Sequence, residues 1–144
     1  MPWEAAVGPK VHVVKLATGE DVLRGLEEKL AARGIPNGVI LCGIGSTSGC
    51  HVHVVESIGL PPGNVFFRHQ DEPFDIVSMQ GYVMDGRVHA HISLARAGDG
   101  AQIGGHLEEG CTVLTFCLVT VAETRPLGDL DTYDARPEGQ TRAQ

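Results

Sequence analysis

A chain of 144 residues, 42% hydrophobic and 20% charged, fits one globular domain and excludes a wholly disordered polymer. No apolar run approaches the ~20 residues that a membrane helix needs; the longest, Val39 to Ile44, already contains a glycine. Eleven Lys/Arg against eighteen Asp/Glu leave a net charge of −7, the wrong sign for attraction to a phosphate backbone.

The start of the chain sets Pro2, Trp3 and Glu4 where an export signal wants a basic start and an apolar stretch, so the expectation is a soluble cytoplasmic protein. Residues 1–123 hold eight Lys/Arg against fourteen Asp/Glu, and residues 124–144 hold three against four. Neither part is a basic footprint. The first is read as a single domain, and the second as a polar tail, partly docked through Leu127, Leu130 and Tyr133 and partly disordered.

Val11-His12-Val13-Val14-Lys15-Leu16 reads as a first strand, with His12 structural. Thr18 and Asp21 are spaced as a capping box at the head of a helix over 21–33. Val22, Leu23, Leu26, Leu30 and Ala31 form its apolar stripe, and Gly34 with Pro36 ends it. Gly38 to Ile44 is an uninterrupted apolar run, read as a strand buried on both faces. Gly43-Ile44-Gly45-Ser46-Thr47-Ser48-Gly49 follows as a glycine- and hydroxyl-rich turn. It could offer amide donors to a small anion, but it lacks the lysine and the following helix of a nucleotide loop.

Cys50 to Ser57 alternates as a strand, with Val52 and Val54 on one face and His51, His53 and Val55 on the other. A turn over 59–63 leads to a short strand at Val65-Phe66-Phe67, and His69 falls in a polar loop. Phe74 to Met84 and Arg87 to Ala95 flank Asp85-Gly86, a pair that favours a two-residue hairpin turn. Turns at 98–100 and 109–110 bound a strand over 101–107 and a last strand over 111–123. The fold expected is α+β, mainly antiparallel sheet with one principal covering helix. Cys42, Cys50, Cys111 and Cys117 lack Cys-x-x-Cys spacing and read as reduced and mostly buried; Cys111 and Cys117 share the core face of one strand.

Histidine placement carries the chemistry. His89 and His91 alternate with apolar Val88, Ala90, Ile92 and Leu94, so both imidazoles leave one face, roughly 7 Å apart at the backbone. Gly104-Gly105-His106 returns after a turn, and two glycines permit the close approach that aims a third imidazole at the same point. Three neutral nitrogens suit zinc and leave one coordination position open. His51 and His53 compete as a pair without a third ligand and read as a polar sheet surface or subunit contact.

At these residues the chain resembles the PPC domain, the plant-and-prokaryote conserved domain that accompanies AT-hook DNA-binding motifs in plants. The resemblance rests on Asp85-Gly86-Arg87-Val88-His89-Ala90-His91-Ile92-Ser93-Leu94, Gly100, Gly104-Gly105-His106-Leu107 and Gly110-Cys111-Thr112-Val113. Gly19-Glu20-Asp21, Gly43-Ile44-Gly45-Ser46 and Phe74-Asp75-Ile76-Val77 leading to Gly81 extend it from Val11 to Glu123. It implies a homotrimer, a metal unit of His89, His91 and His106, and a DNA-associated or regulatory role. Two departures stand out: Pro73 precedes Phe74 where plant members often carry arginine, and Ala135-Arg136-Pro137-Glu138 is no AT-hook. Without that minor-groove reader, direct duplex binding is not expected, and a protein partner or small anionic ligand is. The alternatives are a hydrolytic three-histidine metal enzyme, with Glu108, Glu109, Asp99 or Glu56 as general base, and a small-anion-binding module. Ser93, Ser46 and Ser48 lack a nucleophile-elbow context, and the residues themselves specify no reaction.

Overall fold

The structure, a computed structural model, describes residues 7–128. The expectations for Leu130 and Tyr133 lie outside the described residues. The elements are strands β1 (Val7–Ala17), β2 (Gly38–Val55), β3 (Asn64–Met84), β4 (Arg87–Arg96), β5 (Gln102–Leu107) and β6 (Val113–Thr124) and, between β1 and β2, the helix α1 (Val22–Ala32). All pairings are antiparallel, in the order β1-β6-β2-β3-β4-β5, with a further pairing of β2 to β5. This is the α+β architecture expected. Among the described residues, no helix is long and apolar enough to cross a membrane.

Helix α1 lies against β1 and β4. Of the expected stripe, Leu23 is half-buried and Ala31, at the end of the helix, is exposed, whereas Val22, Leu26 and Leu30 are buried. Full burial of one such leucine contributes roughly 1.5–3 kcal/mol relative to leaving it exposed. These residues join a core with Val14, Leu16, Val119 and Val121. Cys111 and Cys117 are both fully buried, as expected, but not on one strand: β6 begins at Val113, so Cys111 lies in the segment before it. Cys50 is also buried and Cys42 is exposed.

The start of α1 differs from the capping box expected. Asp21 itself is the N-cap: its Oδ2 accepts from Arg24 N at 2.9 Å and its Oδ1 from Gly110 N at 2.7 Å. Thr18 instead donates to the Thr115 carbonyl at 3.2 Å. A carboxylate has two acceptor oxygens, so one residue caps the helix, a contribution of about 1 kcal/mol, and also ties it to the turn before β6.

Strand β2 corrects two expectations. It runs unbroken through the glycine- and hydroxyl-rich segment, which is therefore neither a turn nor an anion loop. Gly45 explains the difference: a Cβ there would overlap the Phe116 carbonyl, so the glycine serves close strand approach. Nor is the run over 38–44 buried on both faces. Ile40 is buried, whereas Leu41 and Ile44 are 50% and 52% exposed. With Val11, Val13 and Phe116 they leave the outer face of the sheet apolar and open.

Strand β3 likewise absorbs the expected loop around His69, which pairs with Cys50. The register jumps from Thr47↔Phe74 to Gly49↔Gln70, so β3 carries extra residues, with Asp71 at φ +56°. That bulge bends two long strands without breaking them. The Asp85-Gly86 hairpin forms as expected, with positive φ of 49° and 81°.

Candidate metal centre

Two hairpin registers and one closing contact build the site. In β4, Ala90, Ile92 and Leu94 are buried, which sends His89 and His91 to the outer face. β5 sets His106 directly opposite His91. On the other edge of β5, β2 sets His53 directly opposite His106. With Gln80 opposite His91 on β3, four strands carry the row His53, His106, His91, Gln80 at one level. His89 stands two residues along β4, opposite Tyr82.

Gly105 makes the closing contact possible. A Cβ there would lie 2.5 Å from the His53 carbonyl oxygen, and the residue sits at φ +159°. The glycine pair before His106 thus serves close approach, as the sequence indicated.

The imidazoles converge. Ring centroids are 4.4 Å apart for His89 and His106, 5.7 Å for His89 and His91, and 5.8 Å for His91 and His106. One ring nitrogen from each lies within 4.8 Å of the others. A tetrahedral ion with Zn–N bonds of about 2.0–2.1 Å needs its nitrogens about 3.3 Å apart, which modest side-chain rotation supplies. The residues therefore fit a divalent transition ion by donor type and spacing. Electrostatics agree: burial, and then the neighbouring His89 and His53, push the His106 imidazole down from 6.5 to about 4. At neutral pH it is uncharged, the form in which a histidine ligates.

The structure adds two residues to the three expected. His53 stacks on His106 at 4.3 Å, and its Nδ1 is 2.5 Å from Glu108 Oε1. Glu108 had a detectable signal, since it follows His106 by two on an extended chain and takes the same face. His53 was legible only as half of an outward-facing pair with His51, read as polar surface or subunit contact; the structure sets it against His106 instead, because β2 closes on β5. His51 stays apart, its Nδ1 donating to the Glu109 carbonyl at 2.7 Å. His12 meets Glu123 at 3.1 Å, and His69 meets Arg96 at 3.1 Å.

The other acids named as bases lie outside the convergent donor sets. Glu109 pairs with Arg24 at 3.1 Å, Asp99 accepts from Ala101 N at 3.0 Å in its turn, and Glu56 stands just beyond β2 in the link to β3. Ser93 donates to Gln102, and Ser46 bonds Thr115. Beside His89 and His91 opens a groove of about 640 Å³, lined by Val39, Leu41, Tyr82, Met84 and Leu127.

The family model of the Plants and Prokaryotes Conserved (PCC) domain matches residues 4–125. A solved metal-containing protein from Archaeoglobus fulgidus is 28% identical, with a TM-score of 0.71 over 88% of this chain and 86% of its own. A plant- and prokaryote-conserved (PPC) protein from Pyrococcus horikoshii is 21% identical, with a TM-score of 0.70 over 87% and 85%. The bifunctional protein GlmU of a Synechococcus strain is 25% identical over 115 residues, 80% of this chain. The chain spans only 17% of the length of the curated relatives it matches.

Because the folded state resists protonating His106, the unfolded chain binds more protons between pH 6.5 and about 4. This contribution to stability is complete above pH 6.5 and is lost as pH falls through that window. Metal-free protein should therefore melt at progressively lower temperature there. Against His106→Asn, which removes the titrating group, the melting-temperature difference should shift towards the variant as pH falls. A difference that stays constant from pH 7.5 to 4.5 would contradict the assignment.

Proposed function

Since the chain belongs to the Plants and Prokaryotes Conserved (PCC) domain family, we propose that it is a homotrimeric metal-binding protein holding one divalent ion per subunit through His89, His91 and His106. The observation that carries this reading is the convergence of the three imidazoles from two adjacent strands onto one point. Three neutral nitrogen donors favour zinc over magnesium or calcium, which prefer oxygen. Once bound, the ion supplies a Lewis-acidic position open to an anion. The protein's own share is to hold His106 neutral and half-buried and to brace it between His53 and His89.

Assembly follows from the uncovered sheet face. Val11, Val13, Leu41, Ile44 and Phe116 expose apolar surface that a second and third copy would remove from water. The family resemblance makes the number three.

The regulatory role runs through a protein partner or small anion rather than through direct DNA contact. Of the eight Lys/Arg before Thr124, Arg24, Lys29 and Arg96 are ion-paired with Glu109, Glu20 and Glu72. Phosphate neutralisation needs several cations facing one way, and the −7 subunit opposes it.

Elemental analysis of untagged protein should give about one zinc per subunit. Replacing His89, His91 or His106 with alanine should weaken binding by at least about 100-fold, beyond the 10–100-fold typical of losing a supporting residue, while His51→Ala leaves it near wild type. Wild-type affinity in His89→Ala/His91→Ala would refute the ligand set. Light scattering should give three times the subunit mass, and a concentration-independent monomer would reject the trimer. At ~150 mM salt, duplex DNA should bind weakly and without sequence preference. Sub-micromolar, sequence-dependent binding would overturn the charge argument.

A further inference from the structure

His106 stands between two sets of donors. On one side are His89 and His91. On the other, His53 and Glu108 approach it, and one donor atom from each of His53, His106 and Glu108 lies within 4.8 Å of the others, the same bound as for the triad. His53 Nδ1 and Glu108 Oε1 already point at each other across 2.5 Å. The His53 and His106 rings stack at 4.3 Å with 24° between their planes. The pairing His53↔His106 fixes the first two, and strand alternation from His106 carries Glu108 to the same face. Both partners are partly sheltered, with side-chain exposures of 17% for His53 and 28% for Glu108.

We propose that His53, His106 and Glu108 form a second station for a divalent transition ion, overlapping the first at His106. This rests on the metal-binding reading above only for the shared ligand. Two imidazoles and a carboxylate are a donor set that zinc accepts. To admit the ion, His53 Nδ1 and Glu108 Oε1 must part from 2.5 Å to about 3.3 Å, the spacing of two ligands on one tetrahedral ion. The metal then occupies the place of the proton that joins them.

The stations exclude each other. A neutral imidazole offers one lone pair, its second nitrogen carrying hydrogen, so His106 serves one ion at a time. Two dications a few ångströms apart would also repel strongly. Wild-type protein therefore binds one ion at the three-histidine station, and the second becomes visible when the first is broken. Exchanging His89 and His91 for His53 and Glu108 around His106 gives the ion a stepwise route on and off the protein.

Cobalt(II) reads this out, because its visible absorption reports the donor set. His91 is the exposed member of the triad, so His91→Ala spares the core; His89→Ala/His91→Ala removes the first station. Both variants should still bind one cobalt per subunit, at least about 100-fold more weakly than wild type, the loss expected for a direct ligand, and with a shifted spectrum. Adding Glu108→Gln, which keeps the shape and removes the anionic oxygen, should weaken that binding at least a further 10-fold, and adding His106→Ala should abolish it. Two results would overturn the second station: no cobalt binding by His91→Ala and the double variant while wild type binds, or residual binding indifferent to Glu108→Gln. Wild type that binds no cobalt at all would instead refute the three-histidine reading.

Discussion

The contact that gathers the wider histidine cluster is the short pairing of β2 with β5, at Val52↔Leu107 and His53↔His106. It turns a sheet that would otherwise end at β5 into a closed ring of β2, β3, β4 and β5. Closure covers one β5 edge that would otherwise offer unpaired backbone groups to another chain. It also brings four histidines onto one outer surface. The strands are held at this distance because residue 105 has no side chain to push the His53 carbonyl away.

Closure is possible because β2 and β3 are long enough to serve two neighbourhoods. The first half of β2 pairs with β6 and extends the flat part of the sheet; the second half pairs with β5 and closes the ring. A bulge near Asp71 lets β3 follow the change of direction. The helix lies against β1 and β4, and the core draws on both parts, with Val14, Val119 and Val121 from one and Ile76, Ile92 and Leu107 from the other; Asp21 braces the helix to the turn before β6. Both halves supply buried apolar area, and the ring in addition presents polar chemistry on its surface.

The surface, unlike the core, is divided. Apolar side chains of β1, β2 and β6 stand open on the outer sheet face, while the histidines gather around β4 and β5. The groove beside His89 and His91 joins these regions, since Val39, Leu41 and Tyr82 line it. Any partner that covers the apolar face would therefore border the histidine cluster.

The sequence by itself determined what short-range periodicity controls. Val22, Leu26 and Leu30 of the α1 stripe, the Asp85-Gly86 hairpin, and the shared outward face of His89 and His91 follow from local spacing and turn chemistry. His106 was legible because its preceding glycines announce a close backbone approach. Only the tertiary structure decided that the segment around Gly45 is strand, that Leu41 and Ile44 lie open, and that His53 and Glu108 face His106. Glycines in a turn and glycines under a crossing strand read alike along the chain, and an apolar run does not say which of its faces meets a partner. The register of β2 against β5 joins residues far apart in sequence, so no local pattern encodes it; it is set by packing of the whole ring.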